Sequence, residues 1–326
     1  MRDDLVVVFG GSGFIGQHVV KTLARRGARI RVPMRRPHLG HELRVLGDVG
    51  QIQLVQANLR YAESVDRALD GADAVVNCVG LLFEKGSQRF KDVQAEGAAA
   101  VARAAKARGV NRLAHISAIG ADAASKSVYA RTKAEAEAAV KAAVPTATIL
   151  RPSIVFGSDD QFFNRFADMA KFSPALPLIG GGKTRFQPVY VQDVADAVAA
   201  ALSDPAAQGR TFELGGPKVY TFKELLDFIT KTINRPRVYA NLPFFAAQPM
   251  GALTDALFKL YPFAAPPLTG DQVELLKRDN VVGESGERDI GVFADLGMTS
   301  LETIEAIVPG YLWRFRPYGQ FETKPA

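Results

Sequence analysis

The chain holds one cysteine in 326 residues, Cys78, which excludes an internal disulfide and any metal cluster built on thiolates. Its four histidines are scattered and carry no metal-ligand spacing. Long apolar runs are missing too: nothing approaches the roughly 20 residues that a membrane-spanning helix needs. Strand-like sequence begins at Leu5, which leaves no room for a signal or transit peptide. These absences lead to the expectation of a soluble, bacterial, cytoplasmic protein. Neither sign of charge dominates, since 40 basic residues face 34 acidic ones for a net +6. That modest excess suits an anionic ligand, an acidic partner or an anionic lipid surface without choosing among them. No nucleic-acid-binding module is recognisable, so nucleic acid is not an expected partner.

What the chain does have is apolar substance, 48% of its residues, enough for one large core or a core with a smaller lobe. Short apolar runs at 5–9, 29–34, 51–55, 74–79, 113–117 and 147–150 alternate with alanine-rich helical stretches. Runs apolar on both faces are what parallel strands covered by helices require, so the fold class is α/β, a Rossmann-type doubly wound parallel sheet. After about residue 157 the texture turns to Phe, Pro and Gly. We expect a dinucleotide-binding domain over 1–215, with 157–187 contributing to a smaller lobe. Residues 216–326 form the rest of that C-terminal lobe, with helices near 221–233, 246–260, 270–278 and 300–307.

Gly10-Gly11-Ser12-Gly13-Phe14-Ile15-Gly16 follows the first strand and opens a helix, the context in which a dinucleotide fingerprint carries weight. Gly10 permits the tight turn, Gly13 lets backbone approach a pyrophosphate, and Gly16 allows close helix packing. Helix N-terminal amides after Ser12, Phe14 and Ile15 favour an anion. The second strand ends not in the acidic residue that binds the ribose 2′-hydroxyl of NAD but in Arg35-Arg36. A guanidinium binds a 2′-phosphate where a carboxylate repels it, so NADPH is the expected cofactor. The alternative is that these arginines belong to a solvated basic surface with Arg25, Arg26, Arg29 and Arg31. Asn58-Leu59 after the third strand and Cys78-Val79-Gly80 after the fourth fall where adenine and ribose would lie.

Tyr129 and Lys133 stand one helical turn apart on one face. The pair resembles the Tyr-x-x-x-Lys centre of the short-chain dehydrogenase/reductase family. In that family the lysine lowers the tyrosine pKa and bonds the nicotinamide ribose, while the phenol moves a proton. The family's carbonyl-polarising hydroxyl has only Ser117 to supply it here, and Gln94 stands where extended members often carry Asn. The proton-handling set is therefore incomplete, and Tyr129 and Lys133 read as vestigial candidates. Arg151-Pro152-Ser153 agrees with atypical members, where this segment passes the nicotinamide end and brings Pro152 to the cofactor.

Residues 244–261 carry Phe245, Pro249, Met250, Leu253, Leu257, Leu260 and Tyr261 at helical spacing, and a proline-rich run, 262–267, follows. Near the end, Tyr311-Leu312-Trp313-Arg314-Phe315-Arg316 interleaves aromatics with arginines, a composition favoured at interfaces. With the 187–194 and 271–276 segments, these features make the chain similar to the NADPH-binding accessory subunits of respiratory complex I (NADH:ubiquinone oxidoreductase), atypical short-chain dehydrogenase/reductases, in their alphaproteobacterial form. The resemblance implies a tightly held structural NADPH, peripheral-arm partners near the quinone site, a membrane-surface contact, and a place on the cytoplasmic face of the bacterial inner membrane. The other class left open is a free NADPH-dependent reductase, epimerase or dehydratase of the same family.

Overall fold

The structure is a computed structural model that describes residues 1–260, 268–284, 286, 287 and 289–321. Two compact units emerge. The first comprises Met1–Pro152, Gln192–Leu214 and Ser285–Thr299, and the second Ser153–Val191, Gly215–Glu284 and Ser300–Ala326.

The first unit is built on β1 (Leu5–Phe9), β2 (Arg29–Met34), β3 (Ile52–Gln56), β4 (Ala74–Asn77), β5 (Arg112–Ile116) and β6 (Thr148–Pro152). With the strand Thr211–Leu214 at one edge they form a seven-stranded sheet in which Thr211–Leu214, β6, β5, β4, β1, β2 and β3 lie side by side. Every pair runs parallel. Val6, Val7 and Val8 are each 0% exposed, so β1 is buried on both faces and needs helices above and below it. The helices include α1 (Phe14–Arg25), α2 (Ala62–Ala68), α3 (Glu96–Ala107) and α4 (Val128–Ala143). Small residues of α3 and α4, among them Ala98, Ala102, Ala105 and Ala136, pack against Val7, Val75, Leu113 and Ile149 of the sheet. Each large aliphatic side chain so buried contributes about 1.5–3 kcal/mol.

Strand order reverses at β1, whose neighbours are β2 and β4. The connections therefore leave in opposite directions and open a crevice at the carboxyl ends of the strands. The 74–79 run stops as a strand at Asn77 because the Asn77 Oδ1 accepts the Val79 N–H at 3.1 Å and turns the chain. Residues 289–299 return to the sheet, where Gly291 bridges Phe212.

The second unit has an aromatic core in which Phe156, Phe163, Phe222, Leu225, Ile229, Ile304 and Leu312 are buried together. Its helices start with strong signals. Thr221 and Glu224 form a capping box before Phe222–Thr232, as Thr269 and Gln272 do before Gly270–Leu275. The helix Phe244–Leu260 leaves Phe245, Met250 and Leu253 exposed. The side chains of Leu257 and Leu260, together with Tyr261 and 262–267, lie outside the described residues. The C-terminal tail is fastened within its own unit: the Tyr311 hydroxyl donates to Asp160 Oδ2 at 2.6 Å and Arg314 donates to Asn164 Oδ1 at 2.6 Å. Arg316 donates to the Thr232 carbonyl at 2.9 Å. The tail arginines thus spend donors internally, while Trp313 is 39% exposed.

Candidate dinucleotide site

The turn after β1 can be built only from glycine at two places. Gly10 has φ +75°, in the left-handed region. At Gly16 an added Cβ would stand 2.0 Å from the Gly10 carbonyl oxygen, so α1 presses directly on the turn. Gly13 caps α1 without a side-chain hydrogen bond, and the first turn holds no acidic residue. Its leading amides remain available, with the positive end of the helix dipole behind them, to an anion.

A cavity of about 300 Å³ opens beside this turn, at the carboxyl ends of β1 to β4. Gly10, Ser12, Gly13, Arg35, Asn58, Leu59, Cys78, Val79 and Gly80 line it, all expected from the sequence, with Phe9, Pro33, Met34, Ala57, Arg60, Leu81, Gln88 and Val93 besides. Arg35 and Arg60 are the only charged groups in that lining. Phe14, Ile15, Gly16, Arg36, Ser117, Tyr129 and Pro152 are not part of the wall. Arg36 instead begins the 3-10 turn Pro37–Leu39, where its carbonyl accepts the Leu39 N–H at 3.0 Å. Several neighbouring basic residues are committed elsewhere. Arg29 donates to the Asp3 carbonyl, Arg26 faces Asp196 at 3.9 Å, and Arg31 donates to Gln53 and to the carbonyls of Ala68 and Asp70.

Ser127 caps α4 by accepting the Ala130 N–H at 3.1 Å, which sets Tyr129 and Lys133 on the helix. The Lys133 ammonium donates to the Ile116 carbonyl at 3.0 Å and lies 5.9 Å from the centre of the Tyr129 ring. It also borders the cavity wall, since a methyl at Gly80 would come within 3.5 Å of it. Burial pushes its pKa down to about 8, against the pull of Glu137 and Cys78. Gln94, in the π-helical turn Phe90–Ala95, is a bracket. Its Oε1 accepts the Leu81 N–H at 3.3 Å, and its Nε2 donates to Thr132 Oγ1 at 3.0 Å and the Tyr129 carbonyl at 3.3 Å. The Ser117 hydroxyl is buried at 3% exposure and has no hydrogen-bond partner among the described residues. His115 receives the Asn77 amide at Nδ1, 3.2 Å away, because the Asn77 oxygen is taken by Val79. Burial, with Lys133 nearby, pushes its pKa down to about 3, so it is neutral.

These residues fit a phosphate-bearing dinucleotide. A turn too tight for any Cβ at Gly16 leads into open helix amides, a carboxylate-free cavity follows, and a buried ammonium stands at its edge. Over residues 6–215 the chain matches the NAD dependent epimerase/dehydratase family. It belongs to that family. Its relatives include the mitochondrial NADH dehydrogenase [ubiquinone] 1 alpha subcomplex subunit 9 of Arabidopsis thaliana, 37% identical over 86% of this chain and 71% of that protein. The subunit of the same name from Mus musculus is 35% identical over 99% of this chain and 84% of its own. Ceramide reductase of Caulobacter vibrioides is 31% identical over 77% of this chain and 78% of its own. Among solved structures, the dTDP-glucose 4,6-dehydratase DesIV of Streptomyces venezuelae superposes with a TM-score of 0.69 at 19% identity, covering 95% of this chain and 96% of that one. At that identity the likeness speaks to the Rossmann-type fold alone.

Arg60, Met34 and Gln88 were not anticipated from the sequence. Arg60 follows Asn58-Leu59 by one place and carries a charge, a signal that was there to be read. Gln88 and Val93 reach the wall through a loop and a π-turn, which no periodicity announces. Among the described residues, no group of three or more His, Cys, Asp or Glu is gathered for a metal, and no helix is long and apolar enough to cross a membrane.

Proposed function

We propose that this protein is an NADPH-binding, non-catalytic accessory subunit that supports the assembly or stability of respiratory complex I, in an alphaproteobacterial form attached to the cytoplasmic face of the inner membrane. The observation that carries this reading is similarity along nearly the whole chain, 35% over 99% of it, to a protein named as a complex I subunit in the mouse. NADPH is favoured over NADH because the cavity wall holds two arginines and no carboxylate. Bound NADPH supplies a hydride donor in principle. The chain's own residues argue for retention rather than turnover: the glycine turn and α1 would hold the pyrophosphate, and Lys133 would bond the nicotinamide ribose. Ser117, the hydroxyl at the family's carbonyl-polarising position, is buried and lies outside the lining of this cavity.

Peripheral-arm subunits near the quinone site are the proposed partners, with the membrane surface alongside. The exposed Phe245, Met250 and Leu253 offer a contact stripe on one helix. A second reading, a free NADPH-dependent reductase, epimerase or dehydratase, draws on Tyr129 and Lys133 and on the 31% identity to a ceramide reductase. One pair of variants tests the choice. Tyr129→Phe should leave complex I activity nearly unchanged while Lys133→Ala weakens nucleotide retention. Respiration lost in the Phe variant with NADPH still bound supports the enzyme instead.

A further inference from the structure

The carboxylates around Arg60 are engaged by other arginines. On α2 and just past it, Glu63 faces Arg67 at 3.9 Å, while Asp66 and Asp70 both receive Arg108. Arg60, immediately before this stretch, has no ion pair and no side-chain hydrogen bond among the described residues, and it is exposed. Its backbone, by contrast, is fixed. Asn58 Oδ1 accepts the Arg60 N–H at 3.2 Å, and Tyr61 donates its N–H to the Asn58 carbonyl at 2.8 Å. The Ser64 hydroxyl accepts the Asn58 N–H at 3.0 Å and donates to the Tyr61 carbonyl at 2.7 Å. A cation with a settled root and an uncommitted head is therefore held at the cavity wall, where Arg35 is the other cation. The two residues follow adjacent parallel strands: Met34 pairs with Gln56, and Ala57 donates to the Met34 carbonyl at 3.1 Å. Arg35 comes directly after β2, and Arg60 stands four places past the end of β3, in the turn that the Tyr61 N–H closes on the Asn58 carbonyl.

We propose that Arg35 and Arg60 are the two jaws of a clamp for a phosphate monoester on the adenosine ribose of the bound dinucleotide, with Arg36 outside it. The proposal rests on the NADPH reading and adds the residue that completes its selectivity. A phosphate monoester carries about −1.5 to −2 charges near neutral pH, more than one guanidinium balances. Two forks, one after β2 and one from the turn after β3, satisfy both its charge and its oxygens. Arg36 follows Arg35 by one residue, starts the next turn, and is absent from the wall.

Calorimetric titration of the full chain with 2′,5′-ADP and with 5′-ADP tests the clamp. The unmodified protein should prefer 2′,5′-ADP. Arg60→Gln and Arg35→Gln should each weaken 2′,5′-ADP by roughly ten-fold or more, the loss of one charge-assisted contact, and leave 5′-ADP unchanged. Arg36→Gln should alter neither. If the unmodified protein binds both probes equally, the NADPH reading fails and the clamp with it. If Arg60→Gln discriminates as well as the unmodified protein while Arg35→Gln does not, the clamp is overturned and NADPH binding stands.

Discussion

Arg151 donates to Glu137 through two hydrogen bonds, at 2.9 and 2.7 Å, with both side chains only 6% exposed. The pair ties α4, which carries Lys133, to β6. Taking two charges out of water costs several kcal/mol per ion, so the pair is weak evidence of net stability but a strict requirement for both partners. Arg151→Met should lower unfolding free energy in urea by about 3–5 kcal/mol, because it strands a buried carboxylate. Arg151 also donates to Glu287 at 2.8 Å and faces the buried Glu213 at 3.9 Å, so Glu137→Leu with Arg151→Met should recover only part of that loss. Additive losses in the double variant would show that the two residues do not act as a pair.

Lys133 gives the protein a pH signature. Its pKa falls to about 8 from the ordinary 10.5 through burial. Between those values the unfolded chain binds a proton that the folded chain does not, so stability rises with pH there. Cys78 opposes it: burial raises the thiol from 9.0 to about 12, so from pH 9 upward the unfolded chain has released a proton that the folded chain keeps. Stability should therefore climb between about pH 8 and 9, stay level to about 10.5 where the two groups cancel, and fall above that. Lys133→Met should abolish the climb in urea unfolding, and a variant that still shows it would remove Lys133 as its source.

Gly16→Ala should abolish nucleotide retention. The added methyl would sit 2.0 Å from the Gly10 carbonyl, a contact that only movement of α1 or the turn relieves. Destabilisation of about 1–3 kcal/mol is expected from overpacking of this kind. Chromatography of nucleotide released from the purified variant is the check, and a full complement of dinucleotide would mean that the turn does not hold the pyrophosphate.

The sheet was legible because buried parallel strands announce themselves as unbroken apolar runs. The runs at 5–9 and 29–34 coincide with observed strands. The glycine turn was legible for the same local reason: its chemistry lies within seven consecutive residues. What stayed hidden depends on who is paired with whom. Sequence shows Arg35 and Arg36 as equals, yet only Arg35 reaches the cavity wall. The position of Arg60 just past Asn58-Leu59 is visible in the sequence, but its uncommitted charge shows only once Arg67 and Arg108 are seen holding the nearby carboxylates. In the tail, Arg314 and Arg316 have the composition of interface anchors, but their bonds to Asn164 and Thr232 turn them inward.

That inward turn shifts the expected point of attachment to the helix Phe244–Leu260. Phe245 is 82% exposed and Leu253 63%, so Phe245→Ser with Leu253→Ser should change folding stability by no more than about 0.5 kcal/mol per site. Interface anchors of this kind account for a few kcal/mol each, enough for the pair to detach the subunit. Sedimentation with washed membranes reads the outcome. A folded double variant that remains fully membrane-associated would exclude this stripe.

Whether the chain is a structural NADPH carrier within complex I is decided by affinity purification of the tagged chain from detergent-solubilised native membranes, with mass-spectrometric identification of co-migrating polypeptides and bound nucleotide in the same particle. Complex I peripheral-arm subunits are expected together with NADP(H) near one equivalent per chain. A chain that elutes alone, or a complex I particle whose copy of this subunit carries NAD(H) or no dinucleotide, would contradict it.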